Sequence, residues 1–225
     1  MSDFDPPRTA APDDLLDRAV ALADGRPRVL LGLAGAPAAG KSTLAGWLVT
    51  RLRARGVPAV HVPMDGFHLA DPALDALGRR ERKGAPDTFD AAGYLALLHR
   101  LRTDGEHVVY APEFLRELEQ ALAGSIAVPP GTRVVVSEGN YLLLDEPVWR
   151  GVRAAFDEVW YVHLDDDERR RRLLERHVRF GKTPEQAATW MAEVDEPNAR
   201  RIAATAARAH RRLDPTPTRD AAPGE

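Results

Sequence analysis

The sequence predicts an α/β fold of three layers (α/β/α), with helices on both faces of a mainly parallel sheet. Three observations carry that reading. β-rich runs alternate with helical stretches along most of the chain. Several of those runs are continuously apolar, as strands covered on both faces require. A loop of small residues joins the first run to a helix, the connection expected of a βα unit.

From the N-terminus, residues 1–11 are acidic and Pro-rich and are expected to form a disordered tail. Asp13 is expected to cap a helix whose Leu15, Leu16, Val20 and Leu22 cover one flank of the sheet. Strands are expected at 29–34, 58–63, 107–111, 132–138 and 158–164, all as members of one parallel sheet. Residues 203–225 show no apolar run for a further strand, and 213–225 has the composition of a second loose tail. One domain over residues 12–212 remains, with no internal repeat.

The chemistry begins at the first strand. VLLGLAGAPAAGKSTLAGWLV, residues 29–49, places GxxxxGK[ST] between an apolar strand and a helix. This is the P-loop, which makes the fold that of a P-loop NTPase. Gly35 and Gly40 let Gly35, Ala36, Pro37, Ala38, Ala39, Gly40, Lys41, Ser42 and Thr43 curl so that backbone N–H groups converge on phosphate oxygens. Lys41 is placed to reach the β- and γ-phosphates of ATP, and the Ser42 hydroxyl to ligate Mg²⁺.

In open α/β sheets, ligands gather beyond the carboxyl ends of the strands, so residues just after each strand are the next candidates. After 58–63 comes Met64-Asp65-Gly66-Phe67-His68. Asp65 is suited to accept a substrate hydroxyl proton. His68 is read as a substrate contact, with a satisfied, partly buried histidine as the alternative. The strand at 132–138 ends in Glu138, a carboxylate able to organise Mg²⁺ through its waters. Arg169, Arg172, Arg176 and Arg179 recur at steps of three, four and three and so share one helical face. That face can fold over phosphates as a lid, or it can be a solvated helix pairing with Asp165, Asp166, Asp167 and Glu168. Gly181 and Thr183-Pro184 are expected to end this helix and start the next, giving a hinged lid over about 166–195.

Composition limits the alternatives. The chain has 225 residues, no cysteine and a formal net charge of −3. Disulfides and thiolate metal sites are excluded, and a general nucleic-acid binder is disfavoured. No run is long and apolar enough to span a bilayer, and the acidic start is unlike a signal peptide, so a cytoplasmic location is expected. No heptad or long apolar edge supports a homodimer, which stays open.

GAPAAGKST, PMDGFHL, RKGAPDTFD, YAPEF, SEGNYLLLD and RRLLERHVRFGKTPEQA together resemble the uridine kinase-like branch of P-loop kinases, over residues 29–202. The branch includes uridine, pantothenate and phosphoribulose kinases, and the PMDGFHL and EGNYLLLD wording is most similar to its nucleoside/nucleotide kinase-family proteins, some of them called fructokinase-like. The resemblance implies ATP and Mg²⁺ as cofactors, Asp65 as general base, Ser42 and Glu138 as Mg²⁺ organisers, and Lys41, Arg169, Arg172 and Arg176 as phosphate stabilisers. It also implies an acceptor pocket closed by Arg82, Lys83, Gly84, Thr88, Phe89 and Asp90, with Tyr110, Phe114, Arg116 and Asn140 near it. Three segments depart from the pattern: Leu115 stands where relatives often carry a polar residue, Asp195-Glu196-Pro197-Asn198 replaces a more usual Asn-Asp opening, and the C-terminal AHRRLDPTP lacks the apolar strand expected of relatives. The sequence-level expectation is therefore an ATP-dependent phosphotransferase acting on an alcohol group of a small-molecule acceptor, nucleoside or sugar-like. Its rival is a nucleotide-sensing P-loop ATPase module read by a protein partner, with no such acceptor.

Overall fold

A computed structural model describes residues 12–213. Five strands form the main sheet: β1 (Val29–Ala34), β2 (Ala59–Pro63), β5 (Val134–Gly139), β6 (Glu158–Val162) and β7 (Arg211–Leu213). Their spatial order is β2-β5-β1-β6-β7, and every adjacent pair is parallel. The expected three-layer arrangement is present, and β1, β5 and β6 are buried at every position, which is why they are mostly apolar.

Alternation along the strands builds two cores. Val29, Leu31, Leu33, Val134, Val136 and Trp160 pack against α1 (Pro12–Ala23) and α2 (Lys41–Ala54). Leu30, Val62, Val135 and Val159 face the other way, onto α4 (Ala91–Thr103) and α5 (Pro147–Ala155), where Tyr94, Leu98, Trp149 and Val152 are buried. Trp149 and Trp160 are thus core residues. A short helix α3 (Asp71–Ala76) precedes α4. The segment expected to form the lid comprises α6 (Asp166–Arg179), α7 (Pro184–Trp190) and a π-helical segment Met191–Asp195, and α8 (Glu196–Ala203) follows it. The break between α6 and α7 falls where the sequence indicates: Gly181 is left-handed at φ 100, and Thr183 and Gln186 make a reciprocal capping box with Pro184 in the first turn.

Four expectations are corrected. The run at 107–111 does not join the parallel sheet. It becomes β3 (Val109–Leu115), paired antiparallel with β4 (Gln120–Val128) in a separate hairpin. Pro112, which lacks an N–H, sits at the break in its register. A C-terminal strand does exist: β7 pairs with β6, and Leu213, assigned to the tail, is its buried last residue. Its sequence RRL carries one apolar residue and gives no hydrophobic signal; main-chain pairing makes the strand, with His163 N–H donating to the Leu213 carbonyl at 2.8 Å. Finally, α1 starts at Pro12, so Asp13 lies inside its first turn, where it meets the helix dipole, and is not its cap. The remaining tail assignments, 1–11 and 214–225, lie outside the described residues. Among those residues no helix is long and apolar enough to cross a membrane.

Candidate active site

A cavity of about 650 Å³ opens at the carboxyl ends of β1, β2 and β5, under the lid. The loop before α2 forms its floor. Gly40 (φ 93) and Ala38 (φ 65) are left-handed, so the chain coils back and leaves the first N–H groups of α2 uncapped by any side chain. At Gly35 the constraint is close approach: a Cβ there would stand 2.4 Å from the Val162 carbonyl oxygen of β6. Gly35, Ala36 and Ala39 therefore shape the loop from behind, while Pro37, Ala38, Gly40, Lys41, Ser42 and Thr43 line the cavity.

Lys41 is buried, and its Nζ donates to the Ala36 carbonyl (3.0 Å) and to Asn140 Oδ1 (2.8 Å). Burial pulls its pKa below the usual lysine value, Glu138 and Asp65 oppose that, and Arg176 and Arg116 add to it. Asn140, assigned by resemblance to the acceptor pocket, lines the cavity but holds the lysine. Ser42 Oγ donates to Glu138 Oε1 at 2.8 Å. This all-oxygen pair suits a hard divalent cation. Among the described residues no group of three or more His, Cys, Asp or Glu side chains could hold a metal. The chemistry of the pair fits an ion that takes its other ligands from phosphates and water.

Asp65 lies on the 3-10 turn Met64–Phe67 directly after β2 and lines the same cavity as Lys41. Arg116 Nη2 approaches its Oδ2 at 3.4 Å. The Asp65 carbonyl accepts from His68 Nδ1 at 2.7 Å, which leaves His68 Nε2 as an acceptor. The imidazole is packed between Phe89 (4.0 Å between centroids) and Phe114 (4.6 Å), and burial lowers its pKa. His68 is a packed, satisfied histidine that also lines the cavity. Since its folded pKa is depressed, the unfolded chain binds a proton that the folded chain refuses between that pKa and about 6.5. Stability is expected to fall as pH drops below about 6.5. Denaturant unfolding of His68→Phe at pH 7.5 and 5.5 should show a smaller loss than the wild type.

Among the residues assigned by resemblance, Lys83, Phe114 and Arg116 line the cavity, and both cations lie over the Phe114 ring at just under 6 Å. Others do not reach it. Thr88 is fully buried and bonds Gly84 N and the Ala85 carbonyl. Phe89 is core, packed on His68 and Tyr141. Arg82 is exposed and pairs with Asp87, Tyr110 is 59% exposed on the hairpin, and Asp90 caps α4.

The lid arginines divide. Arg172 and Arg176 line the cavity, and among the described residues no carboxylate pairs with Arg176. Arg176 has its pKa lowered first by burial and then by facing Arg116. Arg169 turns away: it is 2% exposed, bonded to Glu196 (2.5 Å) and Asp166 (3.1 Å), because it lies in the first turn of α6, beside the start of α8. It ties α6 to α8 and does not line the cavity. Replacing Arg169 with Ala is expected to cost about 2 kcal/mol of unfolding free energy, because it removes a buried side chain and the arginine that holds Glu196 Oε1, leaving Arg170 on Oε2. Arg172→Ala, at an exposed position, should stay within about 0.5 kcal/mol. Chemical denaturation of the two variants compares them. On this face Arg172 pairs with Glu168, as the solvated-helix reading has it, and Arg170 and Arg171, which lie off the face, are answered by Glu196 and Glu168.

Several cavity residues escaped sequence reading. His177 Nε2 meets Asp195 Oδ2 at 2.8 Å, joining α6 to the π-helical segment. Asn198 Nδ2 donates to the Val194 carbonyl in the same segment, a distortion often found where helices carry function. Asp71 fixes Lys83 at 2.7 Å, and buried Tyr141 donates to the Gly84 carbonyl. Asp195 and Asn198 stood out in the sequence only as a departure from the pattern. The others needed the tertiary fold.

Comparison with known proteins agrees with this geometry. The chain is 36% identical over 183 residues to a Schizosaccharomyces pombe protein provisionally named a uridine kinase, covering 79% of this chain and 78% of that one. It is 33% identical over 177 residues to an uncharacterised Escherichia coli protein, covering 78% and 73%. A crystal structure from Silicibacter sp. TM1040, provisionally named a fructose transport system kinase, superposes with a TM-score of 0.82 at 38% identity, over 90% of this chain and 98% of that one. Residues 30–221 match the Phosphoribulokinase / Uridine kinase family, and the chain belongs to it.

Proposed function

We propose that this protein is an ATP-dependent kinase that transfers a phosphoryl group to a hydroxyl of a small polar metabolite, nucleoside or sugar-like. One observation carries the reading: the uncapped start of α2, Lys41, the Ser42–Glu138 pair, Asp65 and the lid pair Arg172 and Arg176 open onto a single cavity. The names of the Schizosaccharomyces and Silicibacter relatives support a kinase acting on a small acceptor.

In the proposed mechanism the loop N–H groups and Lys41 hold the β- and γ-phosphates. Ser42 and Glu138 would hold Mg²⁺, whose charge offsets that of the phosphates. Asp65 takes the proton of the attacking hydroxyl as the new P–O bond forms, and the bond to the β-phosphate oxygen breaks. Arg172 and Arg176 lie on the lid side, where they neutralise charge spreading over the equatorial oxygens. Phosphoryl transfer needs this positioning more than covalent help from the protein. The acceptor pocket then lies between Asp65, His68, Lys83, Phe114 and Arg116.

The test is ADP release with Mg²⁺-ATP across nucleosides, pantothenate, ribulose 5-phosphate, fructose and related sugars, beside a no-acceptor control. Stimulation by one acceptor is expected. ATP binding with no stimulation by any acceptor would favour the nucleotide-sensing module instead.

A further inference from the structure

His61 lies on β2, one residue from the core-facing Val60 and Val62, so its side chain projects to the α2 face of the sheet. Glu138 projects to that same face, since it keeps step with Val134 and Val136, which pack on α2. The register sets Pro63 beside Glu138 and His61 beside Val136, which makes the imidazole a diagonal neighbour of the carboxylate. His61 Nε2 is buried and has no hydrogen-bond partner. It stands 3.9 Å from Glu138 Oε1, the same oxygen that accepts from Ser42 Oγ at 2.8 Å.

A buried ring nitrogen without a partner is unfavourable, and native proteins rarely leave one. Here a shift of about 1 Å by either group, or one bridging water, would complete a bond to the carboxylate. Such a bond would come from β2, while Ser42 holds Oε1 from α2, so the carboxylate would be gripped from two elements.

We propose that His61 is a positioning residue for Glu138: its Nε2–H holds the carboxylate in the orientation that organises Ser42 and a hydrated divalent cation. The proposal rests on the reading of Ser42 and Glu138 as the metal corner. Outer partners of metal-organising carboxylates change metal affinity by about 10–100-fold when removed.

The experiment needs no acceptor. ATP affinity is measured by calorimetry in Mg²⁺ and in EDTA for the wild type, His61→Val and His61→Gln; Val suits a strand and lacks a donor, and Gln keeps an N–H donor. The expected result is that Val reduces the Mg²⁺ enhancement of ATP affinity about tenfold, leaves the EDTA value unchanged, and that Gln recovers most of the loss. If Val fails to fold, His61→Asn, whose shorter amide cannot span the gap, takes its place with the same expectation. In a Glu138→Gln background, changing His61 should cause no further loss. Enhancement retained without the imidazole, or lost equally in Val and Gln, overturns the role of His61 alone. A wild type that binds ATP equally in Mg²⁺ and EDTA overturns the metal reading itself.

Discussion

Lys41→Ala is expected to lower phosphoryl transfer by about 10²–10³-fold and to weaken ATP binding at the same time. The reason lies in how the ammonium is held. Its partners are neutral oxygens, the Ala36 carbonyl and Asn140 Oδ1, so its charge is presented to the cavity and not consumed by a carboxylate. Burial makes that charge costly, as the lowered pKa records. An alanine variant is therefore expected to be no less stable than the wild type, a separation of stability from function that a merely structural lysine would not give. Calorimetric ATP titration, steady-state turnover and thermal unfolding on one preparation test all three statements. Normal affinity with normal turnover would remove Lys41 from the phosphate cradle.

Chemistry that depends on contiguous residues was legible in the sequence. The P-loop declares itself because strand, loop and helix are consecutive and each glycine answers a local need: left-handed backbone at Gly40, contact with β6 at Gly35. Asp65 and Glu138 were found by a rule about strand ends, and both border the cavity because β2 and β5 are parallel neighbours of known direction. The resemblance supplied Lys83, Phe114 and Arg116, but it also supplied Thr88, Phe89, Tyr110 and Arg82, which the fold places elsewhere.

What remained hidden depends on partners distant in sequence. The run HVVYA has the composition of a parallel strand, and only the pairing of β3 with β4 shows that it leaves the sheet for a hairpin. Arg169 belongs to the same helical face as Arg176, and no spacing rule could reveal that Glu196, 27 residues away, claims it. His177 and Asp195 meet only because the lid folds back on itself through a π-helical segment. β7 owes its existence to an open edge on β6, not to its own residues.

Asp65→Asn is expected to reduce turnover about 10²–10⁴-fold, the usual contribution of a positioned base, with ATP affinity nearly intact. The variant changes almost nothing except charge and proton affinity. Asn keeps the shape of the side chain, and its Oδ1 still accepts a hydrogen bond from an acceptor hydroxyl, so the acceptor KM should move little while kcat falls. Neighbouring structure should survive as well: the bond from His68 Nδ1 goes to the Asp65 main-chain carbonyl, which the substitution leaves in place. Arg116 loses its ionic partner at 3.4 Å but remains over Phe114, so the wall of the pocket is kept. A large fall in kcat with an unchanged ATP dissociation constant would assign the proton transfer to Asp65. If KM rose instead and kcat held, Asp65 would be a binding group, and the base would have to be sought elsewhere in the cavity, with His68 Nε2, the free acceptor nitrogen of a neutral imidazole, as the next candidate.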